Sequence, residues 1–331
     1  MSELNLLHPF ESLTPSFILD AVDNIGFSSD GRVTILNSYE NRVYQIGIED
    51  RDPVIAKFYR PQRWSNQQIL EEHQFCYELE ESELPVVCPL KNEDGESLFE
   101  FGEFRFSLYP RKGGRAPELD NYDNLQVLGR FLGRIHQVGA TNPFKYRPSI
   151  DSQTYGHESV KYICENFMPN ELLNAYETLT SDILKLIDST LDDENELLFI
   201  RTHGDCHIGN MLWRDDLPHF IDFDDSRMAP AIQDIWMLLS GDRSEQQAQM
   251  IEILEGYNEF ADFNINELRM IEILRTLRMI YFAAWIARRW DDPAFPLGFP
   301  WFNTPRYWEE HILSLREQLA ELQEPPLVLY P

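Results

Sequence analysis

The chain has 331 residues, a formal net charge of -28 at pH 7 and a pI near 4.5. That length supports two lobes or domains with a substantial core, and the apolar and charged fractions are those of a globular protein. A surface this acidic repels phosphate backbones, so no nucleic-acid partner is expected, and beyond aiding solubility it favours cationic substrates or basic protein segments.

Cys76, Cys88, Cys164 and Cys206 are scattered without a CxxC pair, as suits reduced thiols in the cytoplasm. The first ten residues lack a basic stretch followed by an apolar run, so no signal peptide is expected. Residues 273–290 are apolar but interrupted by Arg275, Arg278, Arg288 and Arg289, which is too charged for a bilayer span. A cytoplasmic monomer without a membrane partner is the expectation.

Residues 14–25 predict a first helix, with Thr14 as N-cap, Pro15 at the first helical position and Gly26 as terminator. From residue 31 to 57 the pattern turns to strands: Val33 and Ile35 alternate with polar residues, then 42–48 and 54–58 follow, separated by a turn through Pro53. Ser65 can cap a helix over 66–79 that carries Glu71 and Glu72. Residues 84–90, 97–101 and 104–109 continue the strands of the sheet. Gly113 and Gly114 mark a hinge, which places a boundary near residue 111.

Past the hinge the chain reads as helical. Residues 125–138 have helical apolar spacing, and Gly129 and Gly133 permit close helix contact; His136 belongs to this packed helix and is assigned no catalysis. Further helices are expected at 159–166, 171–189, 244–259, 265–290 and 307–322, with a solvated acidic turn at 192–194. Arg288, Arg289 and Trp290 fit either a substrate groove or a basic helix end.

Residues 201–225 concentrate the chemistry: His203, Asp205, His207, Asn210, Asp222, Asp224 and Asp225 fall in one span flanked by apolar runs. An Asp, an Asn five residues on, and an Asp closing an apolar run is a phosphoryl-transfer arrangement. Asp205 would orient a hydroxyl and accept its proton, while Asn210 and Asp222 would supply oxygens to Mg²⁺ on nucleotide phosphates. The spacing follows the kinase pattern H-R-D-x-x-x-x-N then D-F-G, with Gly204 in place of the Arg and Asp224 in place of the Gly.

This HGDxHxxN…D variant resembles the aminoglycoside phosphotransferase and choline kinase superfamily, and the segments LNSYENRVYQ, ILEEHQF, HGDCHIGN, AIQDIWMLL and DPAFP are similar to its bacterial stress-response serine/threonine protein kinases. The resemblance implies an α+β, protein-kinase-like bilobal fold. Residues 1–111 would form a small antiparallel-sheet N-lobe with one main helix, and 112–331 a larger, mostly helical C-lobe with the catalytic loop, Mg²⁺ site and substrate groove. It implies ATP between the lobes, contacted at Ser38 in the turn of 36–41 and by backbone near 108–111. Lys57 ends a strand like V-A-I-K and would meet the α- and β-phosphates, held by a helix carboxylate. The pattern E-x₆-L favours Glu72 for that role and leaves Glu71 to solvent. Asp205 and Asp222 are thus the expected catalytic residues, Ser38, Lys57 and Glu72 the nucleotide side, and Asn210 and Asp222 the metal ligands. Asp234 is expected to brace the catalytic loop by bonding its backbone, while Asp224 and Asp225 stay open between a turn or cap role and assistance to Mg²⁺ by one of them.

A transition-metal site from His203, Asp205, Cys206 and His207 is disfavoured because adjacent ligands rarely converge on one ion. A Cys206 nucleophile would leave Asn210, Asp222 and Lys57 without roles, and Cys206 is read as a buried inert thiol. A binding-only pseudokinase conflicts with the full set of Lys, Asp, Asn and Asp. The resemblance implies a Ser/Thr protein acceptor, autophosphorylation and a stress-survival role. The alternative is a small-molecule kinase of aminoglycoside, choline or homoserine type acting on a cationic hydroxyl substrate. With no A-P-E activation segment, switching by activation-loop phosphorylation is not expected.

Overall fold

The alternating residues of the first hundred positions close into one antiparallel sheet in the computed structural model, which describes residues 8–192 and 197–329. Its strands are β1 (Ser29–Leu36), β2 (Arg42–Ile48), β3 (Val54–Phe58), β4 (Phe99–Phe101) and β5 (Phe104–Pro110), in the order β1-β2-β3-β5-β4. Lys57 lies in the middle strand, opposite Val43 on β2 and Ser107 on β5.

One face of the sheet is covered by α1 (Pro15–Asn24), whose buried Ile18, Ala21 and Val22 recur at helical spacing. The Thr14 hydroxyl accepts the Phe17 N–H and caps the helix. Phe58, Phe104 and Phe106 fill this core, with Phe10 stacked on Phe104 at 6.0 Å. The helix α2 (Asn66–Glu81) starts with a reciprocal capping box between Ser65 and Gln68. Its buried residues are Ile69, Glu72, His73, Phe75, Cys76 and Leu79, so Glu72 lies on the buried side of the helix.

The segment 84–90, expected as a strand, is irregular. Pro85 and Pro89 have no N–H to give a ladder. What remains is a short pairing with a later hairpin: Phe220 N–H donates to the Pro85 carbonyl at 2.9 Å and Val87 N–H to the Phe220 carbonyl at 3.1 Å. That hairpin joins Met211–Arg214 to Leu217–Phe220 through Asp215 and Asp216, both at positive φ. Arg115 exchanges two backbone bonds with Trp213, and a side chain at Gly114 would collide with Leu212.

These pairings define a first compact unit that differs from a single boundary at residue 111. It runs to Glu118 and takes in Phe144–Arg147 and His207–Ser226. The second unit comprises Leu119–Pro143, Pro148–Cys206 and the chain from Arg227 on. It is built from α3 (Tyr122–Gly139), α4 (Glu158–Asn166), α5 (Asn170–Asp192), α6 (Arg243–Tyr257), α7 (Met270–Ala287), α8 (Ala294–Gly298) and α9 (Pro305–Gln323). Two short strands, Ile200–Thr202 and Arg227–Ala229, pair antiparallel within it.

The α3 and α6 backbones touch: a side chain at Gly129 or Gly133 would strike the Ile253 or Tyr257 backbone, and one at Gly256 the Gln126 carbonyl. The predicted helix over 265–290 is divided, with a 3₁₀ turn at Ile265–Arg269 before α7 begins at Met270. Beyond α7, Arg288 lies over the Tyr162 ring, Arg289 over Trp285 and Trp290 against Phe302, the packing of a helix end. Asp193 and Glu194 of the expected acidic turn lie outside the described residues. Among the described residues no helix is long and apolar enough to cross a membrane.

Candidate active site

In the first unit, β3, α2 and the turn after the hairpin bring charged side chains together inside the protein. The Lys57 ammonium is 2.8 Å from Asp222, 3.2 Å from Asp224 and 3.9 Å from Glu72. Three of the four are buried; Asp222 keeps 51% of its side chain exposed. Burial works against the Lys57 charge, but Asp222, Asp224 and Glu72 outweigh it and hold the ammonium protonated well beyond the usual lysine range. Burial raises the Glu72 carboxyl to about 7, opposed by Lys57 and Arg147. Asp224 is also buried, yet Arg63 and Lys57 prevail and hold it below the usual carboxylate range.

The backbone explains how two acids so close in sequence reach one ammonium. Asp222 adopts the left-handed conformation, φ 59 and ψ 65, which Asp tolerates better than most residues. The 3₁₀ turn Phe223–Asp225 follows, with Phe223 edge-on to Phe75 of α2 at 6.0 Å and Asp224 turned inward. Asp224 is therefore no simple turn or cap residue: it binds Lys57, Arg63 and the Asn41 side-chain amide, the last at 3.2 Å. Arg63 also pairs with Asp225 at 2.8 Å.

Asn41 ends the turn expected to cover phosphates. The Ser38 hydroxyl donates to the Asn41 carbonyl at 2.9 Å, closing that turn. Arg60 clamps it through its backbone N–H to the Asn41 side chain and its guanidinium to the carbonyls of Glu40 and Tyr39.

Glu72 has a second partner that sequence reasoning missed. Arg147, with no side-chain exposure, donates to Glu72 at 2.8 Å, to the carbonyls of Asp224 and Ser226 at 2.8 and 2.9 Å, and to Gln68 at 2.7 Å. Glu71, expected in solvent, accepts the backbone N–H groups of Lys145, Tyr146 and Arg147. No periodicity or motif marks Arg147, which stands alone in a proline-flanked loop.

The hairpin's end is closed by Ile221 N–H donating to the Asn210 carbonyl at 3.0 Å, so Asn210 pairs with the residue just before Asp222. An amide oxygen and a half-exposed carboxylate are hard donors of the kind Mg²⁺ takes, so the residues fit that ion. His207 caps the adjoining turn by accepting the Gly209 N–H.

In the second unit, Asp234 receives the N–H groups of His203 and Gly204 at 2.7 and 2.8 Å, the bracing expected of it. His136 connects this carboxylate to Tyr257, at 3.1 and 3.0 Å, a supporting contact not foreseen from its helix. Gly204 has φ 83, where an arginine would be strained, which accounts for its replacing the kinase Arg. Asp205 follows, and Arg278 of α7 lies 2.7 Å from its carboxylate. Cys206 is buried and burial pushes its thiol well up, so it is not a thiolate at neutral pH.

Residues 32–271 match the phosphotransferase enzyme family, APH. The chain is 44% identical over 328 residues to stress response kinase A of Escherichia coli strain K12, covering 99% of both chains. It is 44% identical over 324 residues to the serine/threonine protein kinase RdoA of Salmonella typhimurium strain LT2, covering 97% of both. Among solved structures, amicoumacin kinase hAmiN in complex with AMP-PNP, Ca²⁺ and Ami superposes with a TM-score of 0.74 at 20% identity, over 96% of this chain and 95% of that one. A microcompartment-associated aminopropanol kinase gives 0.69 at 16% identity, over 93% and 96%. These two share the fold.

Proposed function

Because the chain belongs to the phosphotransferase enzyme family, and is a kinase that places phosphoryl groups on hydroxyls, we propose that its acceptor is a protein serine or threonine and its donor ATP with Mg²⁺. The acceptor reading rests on the 44% identity to a serine/threonine protein kinase across nearly the whole chain. The nucleotide reading is carried by one observation: Lys57 of β3 is held by Glu72 and Asp222, residues far apart in sequence that a phosphate-binding lysine requires together.

Each residue then has a chemical task. Lys57, kept charged by its carboxylates, meets the negative phosphates of the donor. Glu72 fixes the direction of that ammonium, and Ser38 shapes the turn that covers the nucleotide. Asn210 and Asp222 would hold Mg²⁺, which when bound neutralises charge on phosphate oxygens. Asp205 orients the acceptor hydroxyl and accepts its proton, while Asp234 fixes the backbone before it. Positioning and charge compensation supply most of the catalysis. A role in stress survival and autophosphorylation belong to the same reading.

Transfer of labelled γ-phosphate from ATP and Mg²⁺ tests it, using wild type and Asp205→Asn with a mixed protein substrate and a panel of amino alcohols and aminoglycosides. Label on Ser and Thr that falls about 10²- to 10⁴-fold in the variant supports the proposal. Label confined to the small molecules overturns the protein acceptor.

A further inference from the structure

The base proposed above does not present a bare negative charge. Arg278, near the middle of α7, lies 2.7 Å from the Asp205 carboxylate, and 42% of its side chain is exposed against 21% for Asp205. One turn along the same face, Phe282 is 41% exposed and stacks on Trp285, with ring centres 5.7 Å apart. Phe299 packs edge-on to both rings, and exposed Leu297 and Trp301 continue the apolar face. All of these residues belong to the second unit.

Resting on the kinase reading with Asp205 as base, we propose that Arg278 determines the acceptor class. The hydroxyl that reaches Asp205 belongs to a Ser or Thr in a peptide segment without a cation beside it, whose apolar side chains lie on the aromatic face of α7. It does not belong to an amino alcohol or an aminosugar.

A substrate ammonium beside the reacting hydroxyl is bound by carboxylates with charge to spare. Here that charge is already matched by the Arg278 guanidinium, 2.7 Å away. A second cation brought within ~6 Å of Arg278, in an effective dielectric of ~20, meets a repulsion that offsets its attraction to Asp205 at a similar distance and leaves it no net gain. The local arrangement thus runs against the net charge of -28, which taken alone points to cationic substrates. Apolar side chains flanking a peptide hydroxyl suit the exposed rings, whose burial is favourable.

The test compares kcat/KM for three acceptors with the full chain: a Ser peptide flanked by Ala and Leu, the same peptide with Lys on each side of the Ser, and 1-amino-2-propanol. Wild type should use the Lys peptide no better than the uncharged peptide and leave the amino alcohol unlabelled. Arg278→Glu should shift the ratio toward the Lys peptide by about tenfold or more, and Arg278→Lys should leave it as in wild type. If Arg278→Glu does not fold, Arg278→Gln must shift the ratio in the same direction instead. Labelled peptides with a ratio that Arg278 substitutions leave unmoved, or a wild type that favours the Lys peptide, overturn this inference alone. Label on neither peptide removes the serine/threonine reading and the inference with it.

Discussion

Arg147 and Glu72 form an ion pair from which water is excluded: the guanidinium is 2.8 Å from the carboxylate, and the two side chains expose 0% and 2%. Glu71, the adjacent residue, holds the Arg147 loop by its backbone, so two neighbouring carboxylates of α2 grip the same loop in two ways. The same guanidinium binds the carbonyls of Asp224 and Ser226, which ties α2 to the Asp222–Ser226 segment.

Removing that guanidinium should be costly. Arg147→Met leaves Glu72 a buried carboxylate short of one partner and takes a donor from three carbonyls, and a loss of about 3–5 kcal/mol is expected. Urea denaturation of the two proteins measures it directly. A loss below ~1 kcal/mol would mean that water or Lys57 replaces Arg147, and that the loop does not anchor α2.

Asp224 allows a sharper comparison, because Asp224→Gly recreates the kinase D-F-G. A turn residue would tolerate glycine within ~1 kcal/mol. The buried position between Lys57, Arg63 and Asn41 instead predicts a loss of about 3–5 kcal/mol, since the Arg63 charge loses its closest partner. Stability should be compared at pH 7, where the depressed Asp224 carboxyl is fully ionised.

Gly204 should resist substitution for a reason of backbone geometry. At φ 83, Gly204→Ala costs on the order of 1–3 kcal/mol, and Gly204→Arg at least as much. If the strain relaxes by moving the loop, Asp205 moves with it, and a displacement near 1 Å is worth about 10²-fold in kcat. Unchanged stability and turnover in both variants would show that the loop does not need this conformation.

Two buried histidines make stability depend on pH in a definite direction. Burial lowers His73 to about 3 and His311 to about 4. Their contribution is complete above the unfolded value of ~6.5 and is lost as pH falls toward those folded values. Glu72 acts in the opposite sense: raised to about 7, it contributes fully below ~4.3 and loses that contribution as pH rises through 7. Between roughly pH 4.5 and 6 the three leave about one net proton taken up on unfolding, a slope of ~1.4 kcal/mol per pH unit. His311→Phe deletes one histidine and one buried ring nitrogen without a hydrogen bond, so its slope should be smaller by that amount. Denaturant titrations at several pH values would reveal it; parallel slopes would show that His311 is not buried in its neutral form.

What could be read from the chain and what could not divide along physical lines. Strands β2 and β3 were legible because their apolar runs end at a turn with Pro53, and α2 because Ser65 and Gln68 sign its start. Lys57, Glu72 and Asp222 were legible because motif spacing ties them to elements of known order. The 84–90 run looked like a strand by composition, but two prolines remove its ladder donors. Arg147 was invisible because its role arises from a residue 75 positions earlier and from carbonyls of a later turn. The role of Asp224 stays open in the sequence because the left-handed Asp222 before it, which sequence does not announce, decides which way it faces.

The first unit is sewn from three separate stretches of chain, and this governs the order in which it can mature on the ribosome. When Glu118 has emerged, Glu72 lacks Arg147, Lys57 lacks Asp222 and Asp224, and the hairpin that receives residues 85–87 has not been made. At ordinary translation speeds the missing pieces arrive on the order of ten seconds later. Throughout that interval Lys57 and Glu72 have each other but not their closer partners, and a sheet so short of its finished contacts is the kind of state that exposes a chain to chaperones and proteases.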